Sequence, residues 1–163
     1  MTKYLEFENK IEKVESILSQ LNNNKELNAD KIKKLDKDKA ELYKKIYSNL
    51  DPWQKVQVSR HSERPHTLDY LNNIFEDIVL LHGDKKYADD NAIVGGLAKI
   101  DGSSVFFIGT EKGNTMEKRI KHNFGMAKPE GYRKVQRLLK LAEKFKLPLI
   151  SFVDTAGAFP GKE

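Results

Sequence analysis

The stretch Asp154-Thr155-Ala156-Gly157-Ala158-Phe159-Pro160-Gly161 is the part of this chain best suited to chemistry without a reactive side group. Small residues and glycine let backbone N–H groups approach a ligand and point at developing negative charge. The same run also reads as an ordinary tight connector, because Gly and Pro punctuate loops. Asp154-Thr155-Ala156-Gly157 matches the D-x-x-G element of GTP-binding proteins. That element works with a G-x-x-x-x-G-K-[ST] run that cradles phosphates. No such run occurs here, and Gly157 to Lys162 has the wrong spacing and lacks the hydroxyl, so nucleotide hydrolysis is rejected.

Reactive side chains form no convincing constellation. The four histidines, His61, His66, His82 and His122, lack the H-x-x-x-H spacing of a metal site and read as surface or helix-end residues. No metal is expected. Asp89-Asp90 could form a catalytic acid pair, but adjacent loop acids are usually solvated. Ser103-Ser104 lack the G-x-S-x-G setting of a nucleophile. Lys112, Lys118, Arg119 and Lys121 make a basic cluster that Glu111 and Glu117 dilute; it reads equally as a phosphate site or a solvated loop.

The elements that would position these loops follow from periodicity. Ile11, Val14, Leu18 and Leu21 line one helical face, and Ile32, Leu35, Leu42 and Ile46 another, with Lys39 interrupting. Asn22-Asn23-Asn24 between them favours a turn, so residues 1–50 are expected to form an antiparallel helical hairpin. Asp51-Pro52-Trp53-Gln54 is a helix start with a capping box, running to about Arg60. Thr67 is expected to cap a helix whose stripe is Leu68, Leu71, Phe75, Ile78 and Leu81, ending at Gly83. The period then changes. Ala92–Val94 and Leu97–Ile100 read as strand, with Gly95-Gly96 permitting a bulge or close backbone approach. Asp101-Gly102 signals a hairpin into the strand Val105–Ile108. A helix is expected over Gly131–Phe145, buried through Tyr132, Val135, Leu138, Leu139, Ala142 and Phe145, and then a strand at Leu149–Val153. Strand, helix and strand make a βαβ unit whose two strands run parallel. In such sheets ligands collect beyond the carboxyl ends of the strands, where the loops 109–129 and 154–161 lie.

Composition sets outer limits. The chain has 163 residues, 29 Lys+Arg against 24 Asp+Glu and a net charge of +5. That length suits one core and is marginal for two. All 10 Gly, all 5 Pro and the one Trp follow residue 50, which marks a boundary between residues 1–50 and 51–163. No apolar run approaches the ~18 residues of a membrane span. The segment MTKYLEFENKIEKVESIL has acids where a signal peptide has an apolar core, so a cytoplasmic location is expected. Absence of Cys excludes disulfides and thiol nucleophiles and fits a reducing compartment. The spread charge does not call for nucleic acid.

Several long words carry a resemblance. They are Lys45 to Gln57 (KIYSNLDPWQKVQ), Glu63 to Tyr70 (ERPHTLDY), Leu81 to Asp84 (LHGD), Asn123 to Lys134 (NFGMAKPEGYRK), Leu141 to Phe145 (LAEKF) and Asp154 to Gly161 (DTAGAFPG). In this order they resemble the α subunit of bacterial acetyl-CoA carboxylase carboxyltransferase, over essentially the whole chain. The resemblance implies an α/β, crotonase-like ββα spiral, of which residues 51–163 are the first part. It implies transfer of a carboxyl group from biotin, held on a biotin carboxyl carrier protein, to acetyl-CoA, giving malonyl-CoA for fatty-acid synthesis. It implies a β subunit that binds CoA and carries a zinc ribbon, an α2β2 assembly, and a site between the subunits. Backbone amides at Ala156, Gly157 and Ala158 would be the catalytic actors, with Gly125 and Met126 lining the neighbouring loop. The ureido nitrogen of biotin can serve as the base.

Two departures qualify this. The family's chains continue for about as long again beyond the point matching Glu163, so the expected site is incomplete within these residues. A chain ending there is expected to be inactive alone, leaving a subunit-binding or assembly module as the alternative. The family's Gly-Arg-Asp-Thr is Gly113-Asn114-Thr115-Met116 here, and its Pro after Asp-Thr is Ala156.

Overall fold

A computed structural model describes residues 4–24 and 26–161. The chain divides by internal packing into two units, Met1–Arg64 and Pro65–Glu163. The packing division therefore falls later than the change in composition, and places the helix after Asp51 with the N-terminal unit.

In the first unit, helices α1 (Asn9–Leu21) and α2 (Ala29–Tyr47) follow the two apolar stripes. Ile11 and Leu18 are buried, whereas α2 has no fully buried residue. Polar contacts supply much of the specificity between them. Glu15 of α1 meets Lys39 Nζ at 3.1 Å and Tyr43 Oη at 3.4 Å, and also accepts from the Tyr4 hydroxyl. Glu8 accepts from the Tyr47 hydroxyl. Contacts that advance from residue 8 to 15 on one side retreat from 47 to 39 on the other, so the two helices run in opposite directions. Lys39, which breaks the apolar stripe, is thus the partner of Glu15. Helix α3 (Pro52–Ser59) begins as its sequence dictates: Gln54 N–H donates to Asp51 Oδ1 at 2.8 Å, and Asp51 N–H to Gln54 Oε1 at 3.0 Å.

The second unit is a four-stranded sheet in the order β1-β2-β3-β4 with helices on both faces. Helix α4 (Thr67–Ile74) leads directly into β1 (Glu76–Leu80). The expectation of one helix to Gly83 is therefore corrected. Leu71, Phe75 and Ile78 do recur at helical spacing, but Glu76 and Val79–Leu80 pair antiparallel with β2 (Ile93–Ile100), and that ladder overrides local periodicity. A bulge between Glu76 and Val79 places Asp77 at φ 49°. Thr67 is the first helical residue rather than the cap; His66 holds that position, and its N–H donates to Asp69 Oδ2 at 2.8 Å.

β2 runs unbroken through Gly95-Gly96, where a Cβ on Gly96 would collide with the Val79 carbonyl of the neighbouring strand. Asp101 and Gly102, at φ 48° and 74°, turn the chain into β3 (Ser103–Thr110). After α5 (Met116–Lys121), helix α6 (Pro129–Phe145) crosses over to β4 (Leu149–Phe152). β3 and β4 are parallel, with Phe106 opposite Leu149 and Gly109 opposite Phe152. Alternation along β3 serves both faces: Phe107 packs with Leu71 and Phe75 of the α4 side, and Phe106 with Leu138 and Ala142 of α6. Both phenylalanines are fully buried.

Helix α6 starts two residues before Gly131, at the Pro129 that suits a first turn. Its buried stripe is narrower than its sequence suggests. Tyr132, Leu139 and Phe145 are 53%, 45% and 58% exposed, whereas the charged residues Glu130 and Lys134 are buried. The reason is ionic. Lys134 Nζ is enclosed by Asp89 Oδ1 at 2.7 Å and the Ile93 carbonyl at 2.8 Å, so a cation with saturated donors replaces an apolar contact.

Candidate functional site

The carboxyl ends of β3 and β4 lie side by side, and the two loops beyond them are pinned together. Asp154 N–H donates to Thr110 Oγ1 at 2.7 Å, and Lys112 Nζ lies 2.7 Å from Asp154 Oδ1. Thr155 Oγ1 donates to the Gly125 carbonyl at 2.6 Å. Phe159 N–H reaches the Ala127 carbonyl at 3.4 Å, and Lys128 Nζ sits 5.1 Å from the centre of the Phe159 ring. The residues singled out from sequence, Gly125 and Met126 on one loop and Ala156–Ala158 on the other, are therefore neighbours.

Their exposures differ. Gly125 is buried, Met126 half-buried, and Ala156, Gly157 and Ala158 are all exposed at the mouth. Gly157 takes φ 156°, and a Cβ placed on it would meet nothing within 4 Å. The three backbone amides are not equivalent. Gly157 N–H donates to Thr155 Oγ1 at 3.1 Å, so it is spent within its own loop. Those of Ala156 and Ala158 have no hydrogen-bond acceptor among the described residues.

The facing loop is held in an uncommon conformation. Asn123, Phe124 and Gly125 are consecutively left-handed, at φ 45°, 54° and 73°. Asn123 Nδ2 donates to the Met126 carbonyl at 2.7 Å, closing the turn. A Cβ on Gly125 would stand 2.7 Å from Lys112 Cγ, so this position combines a left-handed backbone with a close approach. Strain of this kind persists where surrounding contacts over-determine the backbone.

Buried carboxylates fix the segments on either side of this turn, at Gly113 and at Lys128, and sequence reasoning missed them. Glu111, 2% exposed at the end of β3, accepts Gly113 N–H at 2.7 Å and Leu68 N–H at 2.9 Å and faces His66 Nδ1 at 3.3 Å. It organises the loop instead of diluting a basic cluster. Asp90, also buried, accepts Ala92 N–H at 2.9 Å and Lys128 N–H at 2.7 Å, fixing the entry to α6. Asp89 accepts from Lys134 Nζ and from Gly83 N–H, and its other oxygen lies 3.0 Å from His82 Nδ1. Burial works against its charged form, but the Lys134 ammonium, the Gly83 amide and His82 outweigh it and hold the carboxyl at about 2. Asp89 and Asp90 are thus separate structural acids, each committed to its own donors. The one available signal was an acid beside glycine or a loop at a strand end, as in Glu111-Lys112-Gly113.

The basic cluster is dispersed. Lys112 is paired with Asp154, Arg119 Nε donates to the Gly113 carbonyl at 3.3 Å, and Lys118 and Lys121 are exposed on α5. His66 and His122 are buried at helix ends, with His122 Nδ1 against the Asn91 carbonyl at 2.5 Å. Among the described residues no group of three His, Asp or Glu could hold a metal, and no helix is long and apolar enough to cross a membrane.

The two loops thus meet at the mouth of a parallel strand pair. Residues 4–163 match the family described as acetyl co-enzyme A carboxylase carboxyltransferase-like. The chain belongs to this carboxyltransferase family. Curated relatives agree. The acetyl-coenzyme A carboxylase carboxyl transferase subunit alpha of Rhodospirillum centenum is 51% identical over 162 residues, covering 97% of this chain and 51% of the relative. The subunits of the same name from Francisella philomiragia and Parvibaculum lavamentivorans are 49% and 48% identical, over 97% and 100% of this chain. The chain spans about half the length of the curated relatives it matches. Among solved structures, the β subunit of Pseudomonas aeruginosa geranyl-CoA carboxylase is similar to 90% of this chain and 25% of its own, at 21% identity and a TM-score of 0.37.

Proposed function

We propose that this chain is part of the α subunit of an acetyl-CoA carboxylase carboxyltransferase, which moves a carboxyl group from biotin on a carrier protein to acetyl-CoA and yields malonyl-CoA. The observation that carries the reading is family membership over residues 4–163, which includes both loops of the site. In this reading the sheet unit is the first part of a crotonase-like ββα spiral. The partners are a β subunit and a biotin carboxyl carrier protein, in an α2β2 assembly in the cytoplasm.

Carrier-borne biotin supplies the carboxyl group and a ureido nitrogen able to take a proton. The residues at the mouth suit an acceptor-rich, anionic group. Asp154, the one carboxylate of the loop, is neutralised by Lys112. The Ala156 and Ala158 N–H groups point no dipole at a protein acceptor, so they are free to stabilise an oxyanion. Preorganised donors of this type are each worth about 3 kcal/mol of transition-state stabilisation. Gly157 contributes differently: its N–H fixes the loop through Thr155, and its missing side chain keeps the mouth open. Gly125 and Met126 form the opposing wall.

The test is malonyl-CoA formation by the full-length subunit with its β partner and biotin carrier. Gly157→Val is expected to lower turnover roughly 10- to 100-fold through misplacement of the donors. Co-elution with the β subunit should be unchanged. Wild-type protein that assembles but gives no carboxyl transfer would reduce the chain to an assembly module.

A further inference from the structure

Away from both loops, helix α6 carries a second feature. Arg133, Arg137, Lys140 and Lys144 recur at i, i+4, i+7 and i+11, so they share one helical face. The Lys85-Lys86 turn stands opposite, and together they line a groove of about 400 Å³ floored by Asp84 and Leu141.

Two observations distinguish this groove from a solvated charged face. First, its arginines are pre-oriented. Arg133 Nε donates to buried Asp84 Oδ2 at 2.7 Å, and Arg137 is held by the Gly83 and His82 carbonyls at 3.0 and 3.1 Å. Their remaining guanidinium N–H groups are presented without the usual loss of side-chain freedom. Second, charge is uncompensated. Asp84 is consumed by Arg133 and by the N–H groups of Lys86, Tyr87 and Ala88, and Glu130 lies 4.0 Å from Arg133 Nη2. Lys85, Lys86, Lys140 and Lys144 have no carboxylate partner among the described residues.

We infer that this groove binds a compact polyphosphate, meaning a small molecule bearing two or more linked phosphate groups. Guanidinium forks match phosphate oxygens in a bidentate way, and ammonium groups from two elements converge on one concave volume. The volume lies in the range of small-molecule sites. Leu141 is the one apolar residue among those lining the groove and no strand borders it, so a peptide finds neither a hydrophobic pocket nor a strand edge to pair with there. None of its residues belongs to the 125–128 or 154–159 loops.

The test is titration calorimetry on the full-length protein with inorganic tripolyphosphate, ATP, inorganic phosphate and a hexaglutamate peptide at matched ionic strength. Tripolyphosphate and ATP should bind saturably and at least tenfold more tightly than phosphate or the peptide. A Lys140→Gln/Lys144→Gln variant should weaken tripolyphosphate at least tenfold with an unchanged thermal midpoint. A control Lys33→Gln/Lys37→Gln variant on α2 should bind as wild type. Absence of saturable tripolyphosphate binding, equal loss in both variants, or tighter binding of hexaglutamate would each overturn the inference.

Discussion

The two units of this chain use their carboxylates with different emphasis. In the helical unit, half-exposed Glu15 accepts from tyrosine hydroxyls and a lysine, and buried Glu8 accepts from the Tyr47 hydroxyl and the Leu5 N–H at a helix start. In the sheet unit, carboxylates go inside and accept backbone N–H groups, as Glu111, Asp90 and Asp84 do. The difference follows from what must be held. Two helices have satisfied backbones and need only a register between side chains. Loops leaving the sheet have unsatisfied N–H groups, and a buried acceptor fixes them in one conformation. The loops that form the candidate site belong to the second kind.

The largest expected effect is at Glu111. Glu111→Ala strands two N–H donors and should lower the stability of the sheet unit by about 3–5 kcal/mol in urea unfolding. A loss below about 1 kcal/mol would break the contrast. In the helical unit the comparable effect should come from apolar packing: Ile11→Ala should cost about 2–4 kcal/mol.

Acid and alkali should separate the two strategies. Asp89 is held at about 2, and Asp84 lies far below the ordinary carboxylate value because of the Tyr87 N–H above all, then the Lys86 N–H and Arg133, against burial. A lowered folded value gives stability present above the unfolded pKa near ~4 and lost as pH falls toward 2. Tyr4 is pushed up to about 12 by its hydrogen bond to Glu15, then by burial, and Tyr47 is raised by burial and by Glu8. A raised value gives stability present below ~10 and lost as pH climbs past it. The sheet unit should therefore open first in acid, and the helical unit first in alkali. Amide exchange across the pH range checks both; simultaneous opening at either extreme would refute the division. The smallest effect belongs to Lys39→Ala, below about 0.5 kcal/mol by double-mutant cycle with Glu15, as half-exposed pairs give.

Much of the architecture was legible because it depends on local signals. The Asp51–Gln54 capping box, the Asp101-Gly102 turn and the parallel pairing of β3 with β4 all follow from nearby residues or from one crossover. The end of α4 was not, because Glu76–Leu80 becomes strand through pairing with residues 96–99, far along the chain. The burial of Lys134 was hidden for the same reason: its partners Asp89 and Ile93 lie more than 40 positions away. At the site, both loops were identifiable from Gly and small residues. Which of their amides has a protein acceptor was not, because it turns on where the Thr155 hydroxyl points.

The enclosure of Lys134 has a practical corollary. Lys134 is 2% exposed and its amine is saturated with acceptors, so an acylating reagent reaches it only when α6 lifts from the sheet. The neighbouring lysines of α6 are open to the same reagent at all times. Their relative rates of modification make a built-in gauge of how often this half of the molecule breathes.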